Sequence, residues 1–278
     1  MTGNEQQVEF WNGPVGERWV AMQDALDRAM EGIAAAVLAF ARAKPGMRVI
    51  DIGCGCGTTT FALAEAVGAG GTVTGVDISA LMLAFARERA AKAKSHAQFV
   101  EADASDYAFK PENDLVFSRF GVMFFADPAA AFANIRKNLK PGGRLAFVCW
   151  RTLPENEWSA VPFMAARDLL PPQAPPDPTA PGPFAFADAA RVKNILEQAG
   201  FRNVRIEKLD TPMVMGRDLD GAVEMSLKAG PLARALSEID DDALKEKIRA
   251  RVKDALVKYN APGGVKAPGA CWLVEASA

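Results

Sequence analysis

The stretch Val49–Thr60, VIDIGCGCGTTT, decides the fold of this chain. It begins with a short β-branched run without polar alternation, a pattern typical of a strand buried on both faces of a parallel sheet. Three glycines follow at once, and helical spacing of apolar residues begins behind them. A glycine loop between a strand and a helix lets the backbone approach a ligand closely, with helix-terminal amides facing it. The stretch therefore predicts a ligand-binding turn at one edge of a sheet.

The alternation of strand and helix continues along the chain. Further strands are predicted at TVTGVDIS, AQFVEAD, DLVFSRFG, RLAFVCW, FRNVRIEKL and PGACWLVEASA. Repeated βα units imply right-handed crossovers and a sheet covered on both faces. We predict an α/β fold with a doubly wound, seven-stranded, mostly parallel sheet and helical lid insertions.

Breaks in this rhythm divide the chain into segments. The proline cluster LLPPQAPPDPTAPGP cannot supply ladder hydrogen bonds and predicts a loop excursion. A later apolar stripe with a spacing of four residues predicts a docking helix, through Leu244, Ile248, Val252 and Leu256. The predicted segments are an N-terminal helical lid at 1–44, a ligand-binding core at 45–150, a proline-rich lid insertion at 151–186, further core at 187–209, a helical lid insertion at 210–267 and a final core strand at 268–278.

Composition and charge exclude several classes of protein. The 278 residues are 50% hydrophobic and carry a formal net charge of -2. The chain therefore lacks the excess of positive charge that is typical of nucleic-acid-binding proteins. The start, MTGNEQQVEFWNG, has acids where a signal peptide has a basic region, and the most apolar helical stretch, 32–44, is too short to span a bilayer. We predict a cytoplasmic protein with no membrane span.

The cysteines favour structural thiols over a metal site. Zinc sites need spaced sets of four ligands, and this chain has no CxxC pair and one histidine. We therefore predict no metal ligands. The four cysteines are Cys54, Cys56, Cys149 and Cys271.

Carboxylates at predicted strand ends indicate the ligand. A dinucleotide fingerprint needs G-x-G-x-x-G, but here the third glycine, Gly57, comes one residue early and Thr58 follows it. Asp51 lies two residues before the first glycine, where its negative charge would repel a phosphate and attract a cation. Asp77 ends the second strand, where an acid can accept hydrogen bonds from ribose hydroxyls, and Asp103 follows the third. Because parallel strands end at one edge, the sequence predicts an adenosine site without phosphate.

Five ordered pieces then carry a resemblance: VIDIGCGCG, GVDIS, EADAS, FSRFGVMFF and LKPGGRLAFV. Together they resemble the class I S-adenosylmethionine-dependent methyltransferases, and look most like the ubiquinone-biosynthesis-type small-molecule branch. The resemblance implies S-adenosylmethionine as cofactor and a seventh strand antiparallel to the rest. The cofactor-binding residues predicted here are Asp51, Gly53, Cys54, Gly55, Gly57, Thr58, Asp77, Ile78, Asp103, Ala104, Ser118, Arg119, Trp11 and Arg18. For Arg119 and Arg18 two alternatives stay open: a pair with an acidic acceptor or the cofactor carboxylate, or an ion pair with a neighbouring carboxylate.

The resemblance also implies the chemistry. A sulfonium methyl group is already activated, so in-line displacement onto a small-molecule acceptor needs mainly alignment and exclusion of water. A homodimer is one option for the assembly. The lids are expected to cover the sheet edge, where Trp11 and Trp19 either close the cofactor side or serve ordinary lid packing. An acceptor pocket lined by methionines, or ordinary lid packing of the same side chains, is expected at Met213, Met215 and Met225.

The catalytic residues stay unknown at this level. His96 precedes the third strand and so belongs to the opposite edge of the sheet. A general base for a hydroxyl or amine acceptor would have to come from other residue types, and the candidates are Tyr107, Tyr259 and Glu157. Two rival functions remain open: an NAD(P)-dependent oxidoreductase, and a non-catalytic cofactor-binding protein.

Overall fold

An eight-stranded sheet forms the centre of the protein. The computed structural model describes residues 3–109, 112–172 and 177–278, so parts of the predicted N-terminal lid (1–2), core (110–111) and proline-rich insertion (173–176) lie outside the described residues. The strands are β1 (Arg48–Ile52), β2 (Thr72–Asp77), β3 (Gln98–Glu101), β4 (Asn113–Arg119), β5 (Leu139–Trp150), β6 (Arg202–Gly216), β7 (Asn260–Ala261) and β8 (Gly264–Ser277).

Helices cover both faces and the carboxyl edge of this sheet. They are α1 (Gly3–Asn12), α2 (Pro14–Ala21), α3 (Gln23–Ala29), α4 (Glu31–Ala41), α5 (Thr58–Val67), α6 (Ala80–Ala93), α7 (Pro128–Arg136), α8 (Glu157–Ala166), α9 (Ala189–Gln198), α10 (Leu219–Lys228), α11 (Pro231–Leu236) and α12 (Asp242–Leu256). Short 3-10 turns are Gly121–Phe124, Leu153–Glu155, Arg167–Leu169 and Val257–Tyr259.

The strand order is β3-β2-β1-β4-β5-β8-β6, with the two-residue β7 paired to β8. Strands β1 to β5 are parallel, and β8 runs antiparallel to both β5 and β6. The predicted mostly parallel sheet with an antiparallel last strand is therefore confirmed. The additional strand β7 has only two residues, too few to give a sequence signal.

Two strands run beyond the edge where the others stop. Cys271 pairs with the last residue of β5, Trp150, whereas β6 continues from Asp210 to Gly216 and pairs with 265–270 of β8. We call this paired extension the ribbon. The predicted insertion boundaries at 210 and 267 thus fall inside strands, because a ladder between distant segments leaves no mark in local composition. Helices α10, α11 and α12 lie between the two ends of the ribbon.

Apolar stripes attach the outer helices to this frame. In α4 the buried residues Ile33, Val37 and Ala41 recur every four residues and pack on the sheet side. The stripe predicted in α12 is confirmed, since Ile248, Val252 and Leu256 are fully buried and Leu244 is half-buried.

The three methionines expected near an acceptor lie in the hydrophobic core. Met213 and Met215 on β6 and Met225 on α10 are all buried. They are packing residues of the ribbon and the insertion, the second of the two alternatives.

Candidate functional site

The glycine loop after β1 is a tight, left-handed turn. Gly53, Gly55 and Gly57 have φ of 64°, 53° and 85°, values that side chains rarely tolerate. The amides of Gly53 and Cys54 both donate to the carbonyl of Val76. A Cβ atom on Gly53 would lie 2.5 Å from the Cα of Gly121. The loop is therefore wedged between β2 and the turn after β4.

Asp51 lies at the floor of this loop and is fully buried. Its Oδ2 accepts hydrogen bonds from the hydroxyls of Thr59 (2.8 Å) and Thr60 (2.7 Å), in the first turn of α5. Its Oδ1 is buried without a hydrogen-bond partner among the described residues. Burial raises the pKa of Asp51 to about 6, against the lowering effect of the two hydroxyls and of Arg119. One carboxylate oxygen is thus available to a ligand.

Asp77 ends β2 beside the same loop. Its Oδ2 accepts from the amide of Gly55 (2.7 Å) and its Oδ1 from the amide of Ser79 (2.9 Å). Burial raises the pKa of Asp77, and these amides oppose the rise. Each carboxylate oxygen can accept a second hydrogen bond. The Asp77 carboxylate is therefore fixed in orientation and can still accept hydrogen bonds from vicinal hydroxyls. The next residue, Ile78, accepts a hydrogen bond from Asn12 of α1 at its carbonyl.

Asp103 and Ala104 follow β3, where the start of α1 meets them. The side-chain amide of Asn4 donates to Asp103 and, at 2.7 Å, to the hydroxyl of Ser105, and its oxygen accepts from the amide of Ala126. A cavity of about 650 Å³ opens beside these residues. Ala104 is buried behind them. One end of α1 is therefore tied to the loop after β3.

The other end of α1 is tied to the turn after β2. Asn12 donates to the carbonyl of Ile78 and accepts from the amide of Ala80, each at 2.9 Å. The carbonyl of Trp11 accepts from the hydroxyl of Ser79. The Trp11 ring packs edge-on against Trp19 and Phe124. Hence α1 lies across the sheet edge, between the ends of β2 and β3.

Ser118 and Arg119 end β4. The Ser118 hydroxyl donates to the carbonyl of Ile52 (2.7 Å) and accepts from the amide of Gly121 (3.1 Å), so it joins β1 to the turn after β4. The Nη1 of Arg119 contacts the sulfur of Met30 at 3.8 Å, and the charge of Arg119 faces those of Asp27 and Asp51. Burial lowers the pKa of Arg119, and both carboxylates oppose this.

A polar network from α3, absent from the predicted site, reaches the start of α5. Asp27 accepts from Thr58, Arg89 and Gln23. Gln23 also donates to the Thr58 hydroxyl at 3.1 Å, and its own oxygen is buried without a partner among the described residues. One feature of the sequence indicates this network: Gln23 is a polar residue at a position that continues the apolar helical spacing of Leu26 and the residues after it.

The remaining predicted residues are placed elsewhere or serve packing. Arg18 lines a cavity of about 580 Å³ with residues of α10, α11 and α12, away from the grouping around the glycine loop. Cys54 and Cys56 are buried, and burial raises the pKa of both thiols, that of Cys56 to about 12. Within 3–109, 112–172 and 177–278, no group of three or more His, Cys, Asp or Glu side chains is arranged to hold a metal ion.

Two of the three candidate bases, Tyr259 and Glu157, are in contact, and Tyr107 lies apart from them. Tyr107 is exposed and packs edge-on against Phe109. Tyr259 donates its hydroxyl hydrogen bond to Glu157, the first residue of α8. Burial and this carboxylate raise the pKa of Tyr259, so the phenol stays protonated at neutral pH. His96 is exposed before β3, at the edge opposite the glycine loop, as its position in the sequence indicated.

Comparison with known proteins adds one family match and several relatives of part of the chain. Residues 49–143 match the family model described as a methyltransferase domain. Phosphoethanolamine N-methyltransferase 3 of Arabidopsis thaliana is 38% identical over 104 residues, which cover 37% of this chain and 21% of that protein. Phosphoethanolamine N-methyltransferase 2 of Caenorhabditis elegans is 38% identical over 108 residues, 38% of this chain and 24% of that protein. The chain thus spans about a fifth of the length of the curated relatives it matches.

Solved structures extend the likeness over most of the fold. The YcgJ protein of Bacillus subtilis has a TM-score of 0.58 at 16% identity, covering 89% of this chain and 98% of that one. Phosphoethanolamine N-methyltransferase 2 of Haemonchus contortus, in complex with S-adenosyl-L-methionine, has a TM-score of 0.55 at 23% identity, covering 88% and 52%. In the described part of the chain, no helix combines the length and apolar character needed to cross a membrane.

Proposed function

We propose that this chain, whose residues 49–143 match the family model of a methyltransferase domain, transfers a methyl group from S-adenosylmethionine to a small-molecule acceptor by in-line displacement. The observation that carries the proposal is the grouping of Asp51, Asp77 and Asp103 around a left-handed glycine loop at one sheet edge. No basic residue stands within 53–58 to hold a phosphate. The grouping suits an adenosine that carries a cation.

The residues fit the cofactor group by group. Asp77 has acceptor capacity left for two ribose hydroxyls. Asp51 has a buried oxygen without a partner among the described residues, which suits a cationic donor. Gln7 has a buried oxygen that likewise finds no partner in the described part of the chain, and the residue lies one turn from Asn4 and from Trp11 on α1. Each is an acceptor, and an adenosine presents donors at its hydroxyls and its amino group.

The chain's contribution to the reaction is alignment and the exclusion of water. The cofactor, when bound, supplies a sulfonium methyl group that is already activated for displacement. Asp77 and the glycine loop would fix the direction of that group, and positioning of this kind contributes about 7–11 kcal/mol to lowering a barrier. Helix α1, hydrogen-bonded at Asn4 and Asn12, would close the crevice to solvent.

The acceptor is expected on the side of the ribbon. Phe120, directly after β4, stacks on Trp150 at 4.2 Å, and Trp158 of α8 packs on Trp150 at 5.1 Å. Phe120 has a φ of 67°, an unusual backbone conformation for a bulky residue, and such conformations are concentrated at functional sites. We propose that these rings form one wall of the acceptor site.

The substrate class is a proposal at the level of small molecules. The curated relatives are phosphoethanolamine N-methyltransferases by name, so an amine is the first acceptor to test. Phenols, quinone precursors and thiols complete the screen, the phenols and quinones because of the predicted ubiquinone-type branch. Among the candidate bases, Glu157 is the one to test. Its neighbour Tyr259 has a raised pKa and keeps its own phenol proton at neutral pH, so Tyr259 is a poor base.

The proposal extends to the setting of the reaction. We propose a cytoplasmic enzyme that acts without nucleic acid, in keeping with a net charge of -2. Cell fractionation with an antibody would test the location. Size-exclusion chromatography with light scattering would decide between a monomer and a homodimer.

Calorimetry and a product assay test the function together. We expect S-adenosylmethionine and S-adenosylhomocysteine to bind and NAD to leave no heat of binding. With an acceptor from the screen, wild-type protein should produce S-adenosylhomocysteine, and the Asp77→Ala variant should lose this product. Binding of NAD in preference to S-adenosylmethionine would overturn the proposal. Binding of the cofactor with no turnover across all acceptor classes would favour the non-catalytic alternative.

A further inference from the structure

One buried hydroxyl among the lid helices has no partner in the described part of the fold. The Oγ of Ser159, on α8, is buried without a hydrogen-bond partner among these residues, and Ser159 is 4% exposed. Ser226, on α10, is buried to the same extent, but its hydroxyl donates to the carbonyl of Ala222 at 2.8 Å. Buried polar groups are nearly always paired, so the Ser159 hydroxyl is expected to have a partner in the working enzyme.

The position of Ser159 on its helix explains why its own backbone supplies no partner. Ser159 is the third residue of α8, and a serine within a helix can donate to the carbonyl four residues earlier. For Ser159 that residue is Glu155, which belongs to the 3-10 turn before the helix. Ser226 is the eighth residue of α10 and has a helical residue, Ala222, at that place. The Ser159 hydroxyl is therefore left to a partner from outside its helix.

A glycine leaves a gap beside this hydroxyl. A Cβ atom on Gly230 would lie 3.3 Å from the Oγ of Ser159 and 3.7 Å from the Cζ3 of Trp158. Gly230 has φ 84° and ψ -168°, a conformation that is essentially restricted to glycine. Because no side chain fills this place, a ligand atom can approach the oxygen and the indole past the backbone. We call the gap between Gly230, Ser159 and the indole of Trp158 the notch.

A row of aromatic rings leads from the notch to the glycine loop. Trp158 packs on Trp150 at 5.1 Å between ring centroids, and Trp150 stacks on Phe120 at 4.2 Å. Phe120 precedes Gly121, which packs against Gly53 of the glycine loop. Trp150 is buried, whereas Phe120 and Trp158 are half-buried and keep part of their ring surface accessible. The notch therefore lies at the end of the row that is remote from the loop.

The indole of Trp158 is held in place from two sides. Its Nε1 donates to the Oδ1 of Asn156 at 3.2 Å, and Asn156 is itself fully buried and accepts from the amide of Ala270 on β8. At the other side, the Cδ1 of Trp158 lies 3.7 Å from the place of a Cβ on Gly269. The ribbon and α8 together fix the ring, so the notch has a defined wall before any ligand binds.

Rings with one fixed polar group are the usual lining of a small-molecule site, and the polar group sets the orientation of the ligand. The atoms that border the notch are a hydroxyl oxygen and ring carbons, so an unpaired charge buried there would be costly. We infer that Ser159 is the specificity-determining residue for the acceptor. Its hydroxyl bonds to an uncharged oxygen at the far end of a flat, ring-containing acceptor that lies along Phe120 and Trp158. The inference rests on the proposed function and specifies the class of its acceptor.

Two probes that differ in one group test this inference. Hydroquinone has a second, uncharged hydroxyl opposite the one that can be methylated, and 4-methylphenol has a methyl group of similar size at that position. Turnover is measured as S-adenosylhomocysteine formed with saturating S-adenosylmethionine. For wild-type protein, the KM for hydroquinone should be roughly fivefold lower than the KM for 4-methylphenol, the effect of one neutral hydrogen bond.

Ser159→Ala should remove this difference. The KM for hydroquinone should rise roughly fivefold, while the kcat for hydroquinone and the KM for 4-methylphenol stay within about twofold of wild type, because the bond forms far from the reacting atoms. The matched control is Ser226→Ala, which removes an equally buried hydroxyl and should change neither KM. In calorimetry, both variants should bind S-adenosylhomocysteine within about twofold of wild type, which shows that they are folded.

Thermal unfolding separates this role from a structural one. The Ser159 hydroxyl finds no partner within the described ranges, so Ser159→Ala should unfold at a temperature no lower than wild type. A lower midpoint would mean that the hydroxyl serves the fold, and would overturn the inference.

The turnover results distinguish the inference from the function on which it rests. Equal KM values for the two phenols in wild-type protein, or an unchanged KM for hydroquinone in Ser159→Ala, would overturn the inference alone. Turnover of phosphoethanolamine or another acceptor of the screen, without turnover of either phenol, would do the same. Wild-type protein that forms no S-adenosylhomocysteine with any acceptor class would overturn the proposed function.

Discussion

Asp51→Asn should stabilise the cofactor-free protein at neutral pH. The Asp51 carboxyl has a pKa of about 6 in the fold against 3.8 for the ordinary group, because burial penalises the charged form. A rise of that size corresponds to a penalty of about 3 kcal/mol for ionising the group in the folded protein. An asparagine keeps an oxygen for Thr59 and Thr60 and carries no charge.

The sign of the pH dependence follows from the raised pKa. A carboxyl with a raised pKa destabilises the fold above about pH 6, and the penalty is relieved as pH falls from 6 toward 3.8. The advantage of Asp51→Asn should therefore be about 3 kcal/mol at pH 7.5 and about half of that at pH 5. The comparison with wild type removes the opposite contributions of carboxyls whose pKa is lowered, such as Asp114 and Glu275.

Urea unfolding followed by tryptophan fluorescence measures this difference at each pH. With saturating S-adenosylhomocysteine the order should reverse, because only the wild type is then stabilised by ligand. A difference between variant and wild type that is the same at pH 7.5 and pH 5, or a less stable variant at both, would refute the assignment of a buried, uncompensated carboxylate.

Further predictions concern the two ends of the crevice and the loop. Asp77→Ala should weaken cofactor binding in calorimetry by about 1–3 kcal/mol, the loss of charged hydrogen bonds, and unchanged affinity would place the ribose elsewhere. Asn4→Ala should release α1, so that limited proteolysis near the N-terminus becomes faster than in wild type, while S-adenosylhomocysteine slows it in wild type; equal rates with and without ligand would argue against closure. Gly53→Ala should lower the free energy of unfolding by more than about 1 kcal/mol, since its Cβ would meet Gly121 in a left-handed turn, and a thermal midpoint equal to wild type would contradict this.

The central sheet could be predicted because its signals are local. Short β-branched runs between helical stripes identify the buried strands, and the acids at their ends, Asp51, Asp77 and Asp103, then share one edge by topology alone. The grouping of these residues in the structure follows from that rule. Their role in binding remains a prediction that calorimetry can test.

The rest of the site depends on long-range docking. Gln23 continues the apolar spacing of α3, but nothing in that spacing states that the helix packs at the start of α5, so the partners of Gln23 and Asp27 could not be predicted. The ribbon could not be predicted either, because its register joins residues that are 49 to 60 positions apart, from Gly216 with Val265 to Asp210 with Ala270. Arg18 is predicted to bind the cofactor, but α2 directs it toward the insertion instead, a docking that local sequence does not reveal.

The ribbon also determines how the insertion is attached. Gly216 and Val265 are partners in the ladder, so the chain leaves for α10 and returns after α12 at neighbouring points. A two-residue turn of the Asn-Gly kind can close such a gap in an antiparallel pair. The two ends of the segment 217–263 therefore lie side by side at the end of the ribbon. Replacing this segment with another sequence would leave every hydrogen bond of β1 to β5 in place.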